Sequence, residues 1–287
     1  MKLNNIILWT LLVIDGCYCR PTKIGDLKHH VFIAKLKDHF HLDYDAFCSG
    51  NIITEFKILT SAHCFFTNQK RLKLNLTNVR VVAGSLTSTV TSHVFSQERQ
   101  FRTISKMYTQ YSYRFPVYNL ALLIITKPWF FSWAVNKINF AMIDQDLEGT
   151  CTMTSARAFE SWKNRKFLSI DEVVVYTQRY CEGVLLRATA NFICSDYAHT
   201  EILIAKESEG AGLICYGTGD PGEKNETGLL VGILTIINRG LPVIHHRVGL
   251  HHKWIVNGIH RFCVNNLVLN FLVCVGILTN YSYSVFN

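Results

Sequence analysis

The residues best suited to chemistry are a histidine beside a cysteine and two pairs of adjacent histidines. His63 ends the run Leu59-Thr60-Ser61-Ala62-His63-Cys64, with Cys48-Ser49-Gly50-Asn51-Ile52-Ile53 just upstream. A histidine at a strand end is either packed in a turn or held for proton transfer, because imidazole titrates near neutrality. His245-His246 and His251-His252 raise a different chemistry, zinc ligation. Adjacent strand residues point to opposite faces, so each pair offers one ligand to a given site. The segment has no cysteine at finger spacing and no Asp or Glu, so a four-ligand set does not assemble. No metal and no cofactor is expected, and these histidines read as surface residues on a strand and its following turn.

The elements that must position His63 are short strands. Val31–Leu36, Asn51–Leu59, Val79–Gly84 and Leu120–Ile125 are rich in β-branched and apolar residues and are punctuated by turn signals. Leu229–Ile237 reads as a buried strand, and Trp254–Ile259 as the start of a short helix. Such spacing favours an all-β barrel or sandwich. The chain has 287 residues, 49% hydrophobic and 17% charged, which suits a packed core and excludes disorder. The formal net charge is +8, but the basic residues are scattered. The densest run, Gln69-Lys70-Arg71-Leu72-Lys73, falls short of the basic stripe that nucleic acid requires. A site for acidic glycans is a minor reading of the same charge.

The segment around His63 resembles the histidine segment of the chymotrypsin-like (trypsin-fold) serine proteases. The resemblance extends from about Val31 to about Ile259 through Asn119-Leu120-Ala121-Leu122-Leu123 and the residues before Cys215. It implies an all-β fold of two six-stranded antiparallel barrels closed by a short C-terminal helix. It also implies three disulfides, Cys48–Cys64, Cys151–Cys215 and Cys181–Cys194. The bridge that usually borders the family's specificity pocket is missing, with Ala205 where one of its cysteines would stand.

The same resemblance assigns His63 to the catalytic base, Asn119 to the orienting aspartate and Glu209 to the nucleophilic serine. Asn119 carries no charge for an imidazolium and can donate to the ring, favouring the wrong tautomer; in this mechanism that exchange alone costs about ten-thousand-fold. Glu209 is a poor nucleophile toward an amide and is expected to pair inertly with His63. Ser208 replaces the aspartate before the serine, and Glu207 replaces the glycine whose N–H stabilises the oxyanion. An alternative makes Ser208 the nucleophile for His63 in an active endopeptidase, at the expense of an extra residue before Cys215. The specificity pocket maps to Leu203, Ile237 and Val243, where branched side chains should fill the space. Ser155-Ala156-Arg157 stands in place of the family's Gly-Trp-Gly. Lys23-Ile24-Gly25-Asp26 is the nearest activation-like sequence, out of the usual register. No acidic pair lies between Phe65 and Ser85, so a family-type calcium site is not expected.

Residues 1–19 read as a secretory signal, with Lys2 before a short apolar run. Secretion would make disulfides permissible. Asn75-Leu76-Thr77, Asn225-Glu226-Thr227 and Asn280-Tyr281-Ser282 are glycosylation sequons. The expected organisation is a signal over 1–19, a trypsin-like domain over 20–262 and an apolar extension over 263–287. The extension lacks charge but is broken by asparagines and has no flanking basic cluster, so membrane association through it is the lesser reading. The function expected is that of a secreted, inactive protease homologue. Its partner would be an extracellular protein, such as an active protease or an inhibitor, and not nucleic acid.

Overall fold

The computed structural model describes residues 20–92, 98–158, 166–197, 204–224, 227–237 and 240–258. The signal at 1–19, the tail at 263–287, Leu203, Asn225 and the Asn280 sequon lie outside the described residues.

Nine strands precede residue 130: β1 (Arg20–Pro21), β2 (His30–Asp38), β3 (Asp43–Thr54), β4 (Lys57–Ser61), β5 (Val79–Ala83), β6 (Thr89–Thr91), β7 (Gln100–Arg102), β8 (Ile104–Thr109) and β9 (Leu120–Ile125). Six follow: β10 (Gly149–Ala158), β11 (Lys166–Tyr176), β12 (Phe192–Tyr197), β13 (Gly212–Cys215), β14 (Leu229–Ile236) and β15 (Pro242–Arg247). Helix α1 (Gln178–Leu185) precedes β12, and a second helix covers residues 252–258.

The strands form two antiparallel sheets. The first runs β7-β5-β2-β3-β4-β9-β8, with β6 on β3, and curls as a half-barrel. The second runs β11-β10-β13-β14-β15-β12 and closes through a β11–β12 pairing into a six-stranded barrel, with β1 added at its edge. This is the trypsin fold. Asn51–Leu59 is two strands rather than one. The chain turns at Glu55-Phe56, where the Thr54 hydroxyl accepts from the Phe56 N–H at 3.3 Å, a local side-chain bond that competes with continued pairing.

The two sheets are joined by apolar contacts on both sides of their seam. On one side Leu59, Leu120 and Leu122 pack with Ile214, Leu230 and Ile233. Ile255 of the C-terminal helix joins them and is fully buried. On the other side Phe32 and Val82 meet Ala156, Leu168 and Ala205. Burial of such side chains contributes about 1.5–3 kcal/mol each, so the seam is as much a core as the barrel interiors. Cys48–Cys64, Cys151–Cys215 and Cys181–Cys194 are all bridged. Cys151 and Cys215 face each other directly across β10 and β13. Each bridge typically stabilises by about 2–4 kcal/mol by restricting the unfolded chain.

Candidate functional site

His63 lies in the 3₁₀ turn Ala62–Cys64 that ends β4, and Glu209 follows the 3₁₀ turn Lys206–Ser208 before β13. One turn belongs to each barrel. The second is stitched across the seam by two bonds, Ser49 N–H donating to Glu209 O at 2.8 Å and the Asn51 amide donating to Gly210 O at 3.1 Å, and is tied within its own barrel by Gly210 N–H donating to Leu234 O at 2.9 Å. These bonds fix where the Glu209 side chain emerges.

The Glu209 carboxylate meets His63 Nδ1, with Oε1 at 3.0 Å and Oε2 at 3.1 Å. Ser61 Oγ donates to the same Oε1 at 2.7 Å. The carboxylate is 13% exposed and the imidazole 35%, so the pair sits at the rim of the seam rather than in bulk water. Phe115 covers the ring at a centroid distance of 4.3 Å. The Tyr113 phenol donates to Phe66 O at 3.3 Å; burial, helped by the Glu209 charge, pushes its pKa up to about 12. The Lys73 ammonium donates to His63 O, and partial burial lowers its pKa while Glu209 opposes that shift.

Asn119 does not bond the imidazole. Its Oδ1 accepts from the His63 main-chain N–H at 2.8 Å and lies 3.1 Å from Ser61 Oγ, whose single proton goes to the closer Glu209 oxygen, while its buried Nδ2 has no partner among the described residues. The expectation that Asn119 would donate to the ring is corrected: the amide holds the backbone, and Glu209 takes the ring nitrogen. Glu209 therefore lies on the Nδ1 side of the imidazole, the side where the resemblance places the orienting group. Nδ1 is engaged by the carboxylate, and no hydroxyl of the described residues bonds Nε2. Among the described residues, no hydroxyl or thiol is hydrogen-bonded to the ring as a nucleophile would be.

Ser208 is fully buried and turned away from His63. Its hydroxyl accepts from Ala156 N–H at 2.7 Å and faces Ala156 O at 3.4 Å. The Glu209 N–H donates to Lys206 O at 3.1 Å, so that amide is satisfied inside its own turn. The Glu207 carboxylate pairs with Lys166. The cation that meets its charge lies 41 residues upstream, on β11. Ser155-Ala156-Arg157 likewise has a structural use. Arg157 and Asp171 form a buried ion pair, and Ser155 Oγ donates to Asp171 Oδ2 at 2.5 Å. The alternation of β11 places Asp171 inward, and that pattern is the signal that could have found it.

Val243 is 1% exposed and lies in the second-barrel core, against which Ile237 packs. Lys23 is exposed, its N–H donating to Asp26 Oδ2 at 2.9 Å, and Ile24 packs on the first-barrel core. Asn75 is exposed and caps the turn Leu76–Asn78.

His245, His246 and His251 are buried and His252 is half-buried, contrary to the surface expectation. His245 Nε2 lies 3.0 Å from Ser195 Oγ, and His246 Nε2 lies 3.0 Å from His251 Nε2 with the two rings stacked. β15 is covered on both faces, by the barrel interior and, on the other side, by the His251 turn over His246 and by Cys181 and Leu185 of α1 near Ile244. Burial pushes His245 down to about 3 and His251 to about 4, so both stay neutral at ordinary pH.

The Trypsin family profile matches residues 22–255. The chain belongs to the trypsin family, and it carries a trypsin-like serine protease domain with three disulfides. No curated protein matches the sequence.

Proposed function

We propose that this chain is a secreted trypsin-family homologue that does not cleave peptides and acts by binding an extracellular protein, such as a protease or an inhibitor. The observation that carries the reading is the Glu209 carboxylate on His63 Nδ1, at 3.0 Å, where a nucleophile-bearing turn belongs. Ser208 offers no substitute, since its hydroxyl is committed to Ala156. The satisfied Glu209 N–H argues against a preformed oxyanion site, which works through unpaired donors aimed at the developing charge. Three disulfides fit an oxidising compartment, as does the signal-like start. Asn75 is exposed, as glycosylation of its sequon requires.

The purified protein is therefore expected to resist labelling by an irreversible serine-directed phosphonate under conditions that saturate an active trypsin. Labelling that disappears in Ser208→Ala would instead establish an active endopeptidase using Ser208. The same variant has an expected structural effect. Ala156 N–H loses its acceptor, and stability falls by about 1–3 kcal/mol in denaturant titration.

A further inference from the structure

We propose that residues 127–137, with the adjoining segment 23–28, form a docking surface for an anionic lipid membrane. The segment reads Lys127-Pro128-Trp129-Phe130-Phe131-Ser132-Trp133-Ala134-Val135-Asn136-Lys137. Trp129 and Val135 are buried, at 3% and 0% exposure, and pin the two ends. Between them Phe130, Phe131 and Trp133 stand 74%, 41% and 59% exposed. Isolated exposed apolar residues are ordinary, but three large rings within four residues form a patch that marks an interaction site.

The patch is held rigid. The Gln100 amide donates to Phe130 O at 2.7 Å and accepts from Phe130 N–H at 3.0 Å. The Arg102 guanidinium donates to Pro128 O and lies 5.0 Å from the Trp129 ring and 5.7 Å from that of Phe130. Ser132 closes a turn, its N–H donating to Val135 O at 2.7 Å and its hydroxyl accepting from Ala134 N–H. The rings are thus presented without an ordering cost at the moment of binding.

Its surroundings are basic. Lys127 and Lys137 bracket the rings. Asn136 N–H donates to Lys28 O at 2.8 Å, and Gly25, two residues after Lys23, lies against the Trp133 ring. All four lysines are exposed, and none forms an ion pair among the described residues. The two segments hold these four lysines and one acid, Asp26, a net of +3.

Exposed rings beside basic residues could also meet an acidic protein. A protein interface, however, uses directional hydrogen bonds at its rim. The only hydroxyl among the rings, that of Ser132, is exposed but already accepts from the Ala134 and Val135 N–H groups. Apart from the Trp133 indole N–H and the Asn136 amide, what remains outward is ring surface and lysine charge, the pairing that binds the interface of an anionic bilayer, where an indole N–H suits the polar boundary.

The test uses the full-length protein sedimented with sucrose-loaded vesicles of phosphatidylcholine alone or mixed equally with phosphatidylserine. Binding is expected on the acidic vesicles and not on the neutral ones, and it should weaken with added salt. Lys127→Glu/Lys137→Glu and Phe130→Ser/Trp133→Ser should each lower the partition about tenfold or more, with thermal midpoints unchanged because the residues are exposed. No excess binding to acidic vesicles would overturn the proposal. So would binding that both double variants leave intact. A self-association in sedimentation velocity that Trp133→Ala removes, without lipid binding, would make the patch a protein contact instead. The result is independent of the chemistry at His63.

Discussion

Acidifying the protein from about pH 7 to about pH 5 is expected to remove about 4 kcal/mol or more of folding stability through its buried histidines. Burial pushes His29 down to about 4 and His245 to about 3, from an ordinary value of 6.5. The folded state favours the neutral ring, so in this window the unfolded chain binds more protons. Stability is therefore complete above about pH 6.5 and declines as pH falls toward 4 and 3. At pH 5 each of these two histidines costs about 2 kcal/mol relative to pH 7, since the unfolded ring is protonated and the buried one is not. His30, lowered to about 3 by burial and by the neighbouring His29, adds in the same direction. So do His246 and His251, although Asp144 partly opposes the shift of His251. The expected result is a melting temperature lower by about 8–16 °C at pH 5 than at pH 7, followed by circular dichroism. His245→Gln should flatten the profile, because an amide can still bond Ser195 and does not titrate. A melting temperature that stays level across this range would show that these rings carry no proton linkage.

His29 and His245 also mark where the sequence stops being informative. The segment Thr60-Ser61-Ala62-His63-Cys64 was legible because its constraints are local: a strand end, a turn and a disulfide. The three bridges followed from their match to one family framework. The burial of His245 and His246 was not legible. Alternation along a strand predicts one covered face, but β15 lies in a closed barrel whose outer face is covered by the His251 turn and by α1. The pairing of Glu209 with His63 was readable, yet the nitrogen that it meets was not. That depends on a carboxylate longer by one methylene than aspartate reaching across the seam, while Asn119 holds the backbone of His63. The pairings of Glu207 with Lys166 and of Arg157 with Asp171 join residues far apart in sequence, and no spacing rule connects them.

Gly210→Ala is expected to be the most damaging small substitution in the site. Gly210 has φ +90°, in the left-handed region, and a Cβ there would lie 2.2 Å from Ser49 O and 2.4 Å from Thr60 Oγ1. Two costs combine. Positive φ alone costs a non-glycine residue about 1–2 kcal/mol. The collision is with the main chain of β3, which cannot swing aside, because Ser49 N–H already donates to Glu209 O and Thr60 Oγ1 donates to Ser49 O at 2.6 Å. Relief requires the barrels to separate at the seam, and the total should exceed about 3 kcal/mol, within the range reserved for strained or overpacked sites. Gly219→Ala is the matched control. Its φ is +71°, and nothing lies within 4 Å of its Cβ position, so only the conformational cost applies. Urea titrations of the two variants should differ by about 2 kcal/mol or more, with Gly219→Ala near 1. Equal losses would mean that the turn adjusts independently of β3. The difference bears directly on the site, because the bonds that would break are those that deliver Glu209 to His63. A relaxed Gly210 would let the carboxylate leave Nδ1, so the glycine beside it, more than Glu209 itself, sets the geometry of the pair.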